Sequence, residues 1–138
     1  MLGEFFLCNA DDLDHELIGS GPSVRLECVT AKGLTPVNIA TLGELLGAGT
    51  YDEIFQQSGA EHYEAESGEA GVWDVPAAVC RALATRECLE RVAQRWVATE
   101  ELKLEGWQAA DGVSVLRQLS RLLGQQREGQ QLWYWWSL

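Results

Sequence analysis

The sequence contains little positive charge. Ten Lys and Arg residues stand against 21 Asp and Glu residues in a chain of 138, which leaves a net charge of −11. A field of this sign repels nucleic acids and anionic membranes and attracts basic proteins. We therefore expect no nucleic-acid partner and no membrane partner.

Motifs for catalysis and cofactor binding are also missing. The chain has no G-x-x-x-x-G-K-[ST] phosphate loop, no G-x-G-x-x-G signature and no G-x-S-x-G nucleophile motif. Its cysteines lack C-x-x-C spacing, so we expect them to be reduced and mostly buried. They are Cys8, Cys28, Cys80 and Cys88. The sequence predicts no cofactor and no metal, and it favours a protein without enzymatic activity.

No segment has the pattern of a targeting or membrane-spanning sequence. Residues 1–9 lack a basic region followed by a long apolar run, so no signal peptide is predicted. The longest apolar runs are far shorter than the roughly 20 residues that span a bilayer. We expect a cytoplasmic protein. The excess of Arg over Lys, with many Ala and Gly residues, indicates a GC-rich genome and a bacterial source.

The acidic excess is confined to the first half of the chain. Residues 1–69 contain 13 acids and two bases, which gives −11. Residues 70–138 contain eight acids and eight bases, which cancel. Any electrostatic attraction of a basic partner is therefore expected to come from the N-terminal half.

The residue patterns predict one α+β domain over residues 1–138. Alternating and continuous apolar runs predict strands at about 4–9, 24–29 and 131–136. The first strand is apolar on both faces and is expected to be central in the sheet. Apolar stripes at helical spacing predict helices at about 75–84, 86–102 and 112–127. An i,i+4 pair between Glu87 and Arg91 is expected to support the second of these helices.

The middle of the chain is less regular. Thr41 and Glu44 fit a capping box, which predicts a short helix beginning there and ending at Gly47 or Gly49. Residues 47–71 are rich in Gly, Ser, Gln and acids and are predicted to form a long loop, with a short helix around Ile54 and Phe55.

An acidic cluster follows the first predicted strand. It consists of Asp11, Asp12, Asp14 and Glu16, with His15 among them. One interpretation is a metal-dependent hydrolase or transferase that uses Asp11, Asp12, Asp14 and His15. The spacing matches no EF-hand loop, however, and acids are favoured at helix N-termini because the helix dipole is positive there. The capping interpretation is preferred.

A second acidic cluster surrounds His62. Its members are Glu61, Glu64 and Glu66, and they lie in the predicted loop. His15 and His62 are the only histidines, so any histidine chemistry must use one of them. In a Gly- and Ser-rich loop, the simpler interpretation of His62 is a solvated side chain.

The C-terminus is unusually aromatic. In a strand, Trp133 and Trp135 point to one face while Leu132, Tyr134 and Trp136 point to the other. The preferred interpretation is that the strand is covered by helices and its rings fill the core. In the alternative, Trp133 and Trp135 form an exposed surface that binds a partner or joins two copies of the chain.

Together these features favour a small acidic module that binds a basic protein partner. Intracellular immunity proteins, antitoxins and adaptors share this profile as a class. The expected contact residues are Asp11, Asp12, Asp14, Glu61, Glu64, Glu66, Trp133 and Trp135. The metal-dependent enzyme and a homo-oligomeric scaffold with an aromatic seam, a homodimer for example, remain as alternatives.

Overall fold

The fold is built on one antiparallel sheet. The structure, a computed structural model, describes residues 1–86 and 88–138. Its strands are β1 (Leu2–Cys8), β2 (Cys28–Thr30), β3 (His62–Glu64), β4 (Ala70–Asp74) and β5 (Gln131–Ser137). Their order across the sheet is β2-β1-β5-β4-β3, and each neighbouring pair is antiparallel. The first and last strands of the chain are therefore paired inside the sheet.

Helices cover both faces of this sheet. They are α1 (His15–Ser20), α2 (Pro36–Leu45), α3 (Tyr51–Gln57), α4 (Ala77–Thr85), α5 (Glu90–Val97), α6 (Glu100–Leu104) and α7 (Ala109–Leu123). Two 3₁₀ helices, Ala10–Asp12 and Pro22–Val24, flank α1. The predicted α+β class is confirmed. In the part of the chain that the structure describes, no helix is long and apolar enough to cross a membrane.

The sheet separates two hydrophobic layers. Phe5 and Tyr134 point into the larger layer, which packs against α2, α4, α5 and α7. Phe6, Trp133 and Trp135 point into the smaller layer, which packs against α1. Since side chains alternate along a strand, β5 supplies large rings to both layers. Burial of apolar area on both sides of the central strands is the main stabilising contribution to this arrangement.

The three predicted strands lie where the structure has strands, but the predicted bounds of the second one differ from the observed bounds. Strands predicted at about 4–9 and 131–136 are β1 and β5, and β1 is an inner strand as expected. The strand predicted at about 24–29 begins only at Cys28, because the chain first turns through the 3₁₀ helix Pro22–Val24. Val24 is consequently 73% exposed rather than part of the sheet.

The segment 47–71 is more ordered than predicted. The short helix around Ile54 and Phe55 is confirmed as α3. The prediction of a long loop after it is wrong, because residues 62–74 form the β3–β4 hairpin. The hairpin turns at Gly68, whose φ of 72° lies in the left-handed region that favours glycine. Pairing with β5 stabilises β4 in a way that the local composition does not reveal.

The three predicted C-terminal helices are present with different bounds. The first and third are α4 and α7. The helix predicted at about 86–102 is divided into α5 and α6, because Thr99 adopts an extended conformation and caps α6. Its hydroxyl donates a hydrogen bond to the Trp96 carbonyl, 2.7 Å away. Glu87, and with it the expected Glu87–Arg91 pair, lies outside the described residues.

The capping box predicted at Thr41 and Glu44 is wrong. Thr41 lies inside α2, where its hydroxyl donates to the Val37 carbonyl at 3.1 Å. The helix instead begins nearly two turns earlier, with a capping box of Thr35 and Asn38, whose Oδ1 accepts from the Thr35 N–H at 2.8 Å. The predicted stop is confirmed, since α2 ends at Leu45, just before Gly47.

The cysteines are free thiols. Cys8 and Cys80 are buried and Cys28 is half-buried, whereas Cys88 is exposed. Desolvation raises the pKa of Cys28 and Cys80 to about 12, so these thiols stay protonated at neutral pH. The expectation of mostly buried cysteines is confirmed except at Cys88.

Candidate functional site

An open groove lies between α1 and the edge strand β3. It has a volume of about 800 Å³ and is bordered by side chains from segments far apart in the sequence. We call it the histidine groove; its lining residues are Ala10, Leu13, Asp14, His15, Ile18, His62, Tyr63 and Glu64. Both histidines of the chain therefore border the same groove.

The α1 wall of the groove is fixed by Asp14. One oxygen of its carboxylate accepts from the Leu17 N–H at 2.8 Å, which caps α1. Arg25 donates to both carboxylate oxygens, at 3.1 and 3.2 Å. The backbone hydrogen bond, together with the Arg25 guanidinium, lowers the pKa of Asp14 below its ordinary value. The charge of Asp14 is thus held at the N-terminus of α1, and the capping interpretation of this residue is confirmed.

Two tryptophans of β5 form hydrogen bonds to the backbone near the groove, one to α1 and one to the end of β1. The Trp135 indole N–H donates to the Ile18 carbonyl at 2.8 Å, near the C-terminus of α1. The Trp133 indole N–H donates to the Cys8 carbonyl at 3.0 Å, where β1 ends. Both rings are buried, with 0% of Trp133 and 4% of Trp135 exposed. These two side chains lie in the buried layer beneath α1 and hold the backbone of α1 and of the end of β1, although they do not line the groove itself.

Burial of the same tryptophans corrects one prediction. The prediction of an exposed binding surface or self-association seam made of Trp133 and Trp135 is wrong, because α1 and the residues just before it pack over this face of β5. The preferred interpretation, in which the rings fill the core, is confirmed. The sequence periodicity placed them on one face of a strand but did not reveal that a six-residue helix covers that face.

The β3 wall of the groove is more open. Tyr63 is 45% exposed and lies over the buried indole of Trp133, with 6.2 Å between the ring centroids. Its neighbours His62 and Glu64 are exposed on either side of it. The Glu61 N–H donates to the Asp74 carboxylate at 3.0 Å, which fastens the start of β3 to the end of β4. An aromatic ring is therefore presented to solvent on the edge strand of the sheet.

The expected acidic contact residues are all exposed, but they do not form a single cluster. Asp14 and Glu64 border the histidine groove from opposite walls. Asp11 and Asp12 line an adjacent hollow of about 430 Å³ that also includes Asp14 and Arg25. Two further acids, Glu61 and Glu66, lie just outside β3 and do not line the groove. The fold thus brings one residue of each acidic segment, Asp14 and Glu64, to the same groove.

The acids that the structure describes show no arrangement for binding a metal ion. Among the described residues, no group of three or more His, Cys, Asp and Glu side chains is placed to hold one. Asp14, the central member of the proposed ligand set, already uses its oxygens for the α1 cap and for Arg25. A metal-dependent reaction at Asp11, Asp12, Asp14 and His15 therefore receives no support from the geometry.

Tyr63 is the residue that sequence reasoning missed. Two signals could have found it: the turn-forming pair Ser67-Gly68 after the Glu-rich segment 61–66, and the β-forming pair Val72 and Trp73 shortly after that turn. A turn of this kind between two short runs is typical of a hairpin. Reading it as a hairpin would have placed Tyr63 on a strand beside β4.

Comparisons with protein-family models, with curated proteins and with solved structures found no match to this chain. The residues around the groove are therefore the basis for assigning a function.

Proposed function

We propose that this protein is a small acidic interaction module that binds a basic protein partner at the surface around the histidine groove. The observation that carries the proposal is the exposed acidic edge of the groove along β3, where Glu64 stands next to Tyr63 and the exposed acids Glu61 and Glu66 lie just outside the strand. An immunity protein or antitoxin that masks a basic protein, and an adaptor that presents one, are both roles of this kind.

Charge supports a basic rather than an acidic partner. The first 69 residues carry a net charge of −11, and they contribute both walls of the groove. Of the two bases in that segment, Arg25 is already paired with Asp14. Exposed carboxylates act mainly on the rate of association and on its salt dependence, since each exposed pair contributes little to affinity. Binding is therefore expected to be fast at low salt and to weaken as salt is added.

Tyr63 supports a partner that makes more than charge contacts. Interfaces are enriched in Tyr, Trp and Arg at the few positions that contribute most of the binding energy. Nearly half of Tyr63 is exposed while its ring rests on Trp133, so little conformational entropy is lost when a partner covers it. The groove thus combines an aromatic anchor with flanking carboxylates.

The test is capture of a partner from the source lysate at low salt, followed by elution in rising salt. The test variant replaces three acids around β3 with Gln: Glu61, Glu64 and Glu66. The matched control replaces three exposed acids around α6 with Gln: Glu100, Glu101 and Glu105. Both variants change the net charge by the same amount, so they separate a local effect from a general one.

We expect the β3 variant to lose a basic partner that the wild type and the α6 variant retain. The association rate of the purified partner is expected to fall about tenfold or more in the β3 variant, with a shallower salt dependence. Equal binding by both variants, or a partner that is itself acidic, would contradict the proposal.

A further inference from the structure

The outer edge of β3 has no partner strand within the described residues. β3 is the last strand in the order β2-β1-β5-β4-β3. An edge strand carries a row of backbone N–H and C=O groups that another chain can pair with. All three residues of β3 are exposed, so nothing in the described structure covers this row.

The hydrogen-bond pattern shows which backbone groups face outward. The Asp74 N–H donates to the Glu61 carbonyl at 3.1 Å, and the Ala65 N–H donates to the Ala70 carbonyl at 2.9 Å. In an antiparallel pair, every second residue is bonded to the neighbouring strand, and the residues between them point the other way. The N–H and C=O groups of His62 and Glu64 therefore point to the open edge.

The faces on either side of this edge offer room for side chains of an added strand. The histidine groove lies on one side. On the other side is a hollow of about 250 Å³ whose lining includes Pro36, Gly59 and Trp136. Trp136 lies against Gly71 of β4, where a built Cβ would come within 2.8 Å of the indole. The glycine lets this ring lie flat on the sheet as part of the hollow.

Charge identifies the occupant. The exposed carboxylates of Glu61, Glu64 and Glu66 flank the open edge. Residues that lie opposite each other on neighbouring strands stabilise the pairing when their charges are opposite and destabilise it when they are alike. A second copy of this chain would bring two acidic edges together, each with three exposed carboxylates, whereas a segment containing Lys or Arg would be complementary in charge.

We propose that the edge of β3 accepts an extended segment of the basic partner as a sixth strand, paired through the backbone of His62 and Glu64. The inference rests on the proposed function, and it adds the mode of recognition. Main-chain hydrogen bonds supply affinity in this mode, while the hollows on the two faces select side chains. The partner segment carries Lys or Arg at alternate positions, in reach of Glu64 and its neighbouring acids.

The probe for the test is a labelled peptide of about ten residues that alternates Lys with Thr, a length that exceeds the edge it must cover. Binding is measured by fluorescence anisotropy at an ionic strength of about 0.01 M, where charges act over about 30 Å. Amide hydrogen exchange of His62 and Glu64 is followed with and without the peptide.

The decisive variant is His62→Pro, with His62→Ala as its matched control. Proline removes the outward N–H of residue 62 without removing a hydrogen bond to β4, and edge strands tolerate it on the open side. Both variants lose the imidazole, so a difference between their peptide affinities reflects the loss of the backbone N–H. We expect His62→Pro to weaken peptide binding about tenfold and His62→Ala at most about twofold.

Each outcome has a separate meaning. Slower exchange of the His62 and Glu64 amides on peptide binding, with the expected difference between the variants, supports the sixth strand. Peptide binding with unprotected amides and equal variants overturns the sixth strand and leaves the proposed function standing. Failure of the peptide to bind overturns the sixth strand, whereas the proposed function is overturned only by the outcomes of the capture experiment. Concentration-dependent protection without peptide, accompanied by dimers in light scattering, would show that a second copy occupies the edge and would also overturn the proposal.

Discussion

Replacing Tyr134 with Phe removes two hydrogen bonds at the centre of the protein. The Tyr134 hydroxyl donates to the Ala31 carbonyl at 2.6 Å and accepts from the Leu34 N–H at 3.1 Å. Through these bonds, β5 holds the connection between β2 and α2. All three residues are at most 3% exposed, so water cannot replace the lost hydroxyl without a rearrangement.

The expected loss of stability follows from the two buried backbone groups, the Ala31 carbonyl and the Leu34 N–H, that lose their hydrogen-bond partner. An unsatisfied buried donor or acceptor costs roughly 1–3 kcal/mol. With one donor and one acceptor affected, Tyr134→Phe is expected to lower the free energy of unfolding by about 2–4 kcal/mol. That is a large part of the roughly 5–15 kcal/mol of a typical domain, and the variant should still fold.

The assay is urea unfolding followed by tryptophan fluorescence at neutral pH. The control is Tyr63→Phe, which changes a ring that is 45% exposed and is expected to alter stability by less than about 0.5 kcal/mol. A loss below about 1 kcal/mol for Tyr134→Phe would refute the assignment of two buried hydrogen bonds to this hydroxyl.

Alkaline pH provides a second measurement of the same group. Desolvation raises the pKa of Tyr134 to about 12, against about 10 in an unfolded chain. Below pH 10 both states keep the proton, and the stabilisation by the hydroxyl is complete. Between pH 10 and 12 the unfolded state loses its proton first, so the stability of the wild type falls with rising pH.

Tyr134→Phe lacks this titration, so the stability gap between the two proteins should narrow by about 2 kcal/mol between pH 10 and 12, since one pKa unit is worth about 1.4 kcal/mol and the full effect is reached only at higher pH. The buried thiols of Cys28 and Cys80 titrate in both proteins and cancel in the comparison. A gap that stays constant over this range would show that the phenol is not desolvated.

Three further predictions concern the sheet and α1. Gly3→Ala would place a Cβ 1.8 Å from the Tyr134 hydroxyl, so we expect a loss of about 3 kcal/mol, measured by urea unfolding. Trp135→Phe removes the hydrogen bond to the Ile18 carbonyl and should accelerate amide exchange in α1 more than in α7; equal acceleration would contradict its role as an anchor. The lowered pKa of Asp14 contributes stability at neutral pH that is lost as pH falls below about 4, so Asp14→Asn should reduce the acid sensitivity of unfolding.

Local patterns predicted those elements whose stability comes mainly from their own residues. The third C-terminal helix is one example: Val115, Leu116 and Leu119 form its buried stripe, and α7 occupies the predicted region. Its bounds differ because the capping box of Gln108 and Asp111 starts the helix earlier than the apolar stripe indicates. Cap geometry depends on backbone angles that composition does not specify.

Elements that depend on distant partners escaped prediction. β3 contains only His62, Tyr63 and Glu64, and these residues have no apolar alternation of their own. They form a strand because Tyr63 pairs with Val72 of β4, which in turn pairs with Trp135 of β5. The candidate site was affected in the same way. Its acids were named from the sequence, whereas the placement of Asp14 and Glu64 along one groove was not.

The amino-acid sequence by itself determined the class of the fold, the two-faced apolar first strand and the acidic N-terminal half. These properties depend on composition and on spacing over a few residues, where helical and strand periodicities act. Only the tertiary structure decided that Trp133 and Trp135 are covered, that His15 and His62 border one groove and that β3 is left at an edge. Those outcomes depend on which strands pair across the chain, and long-range pairing is selected by packing of the whole core rather than by any one segment.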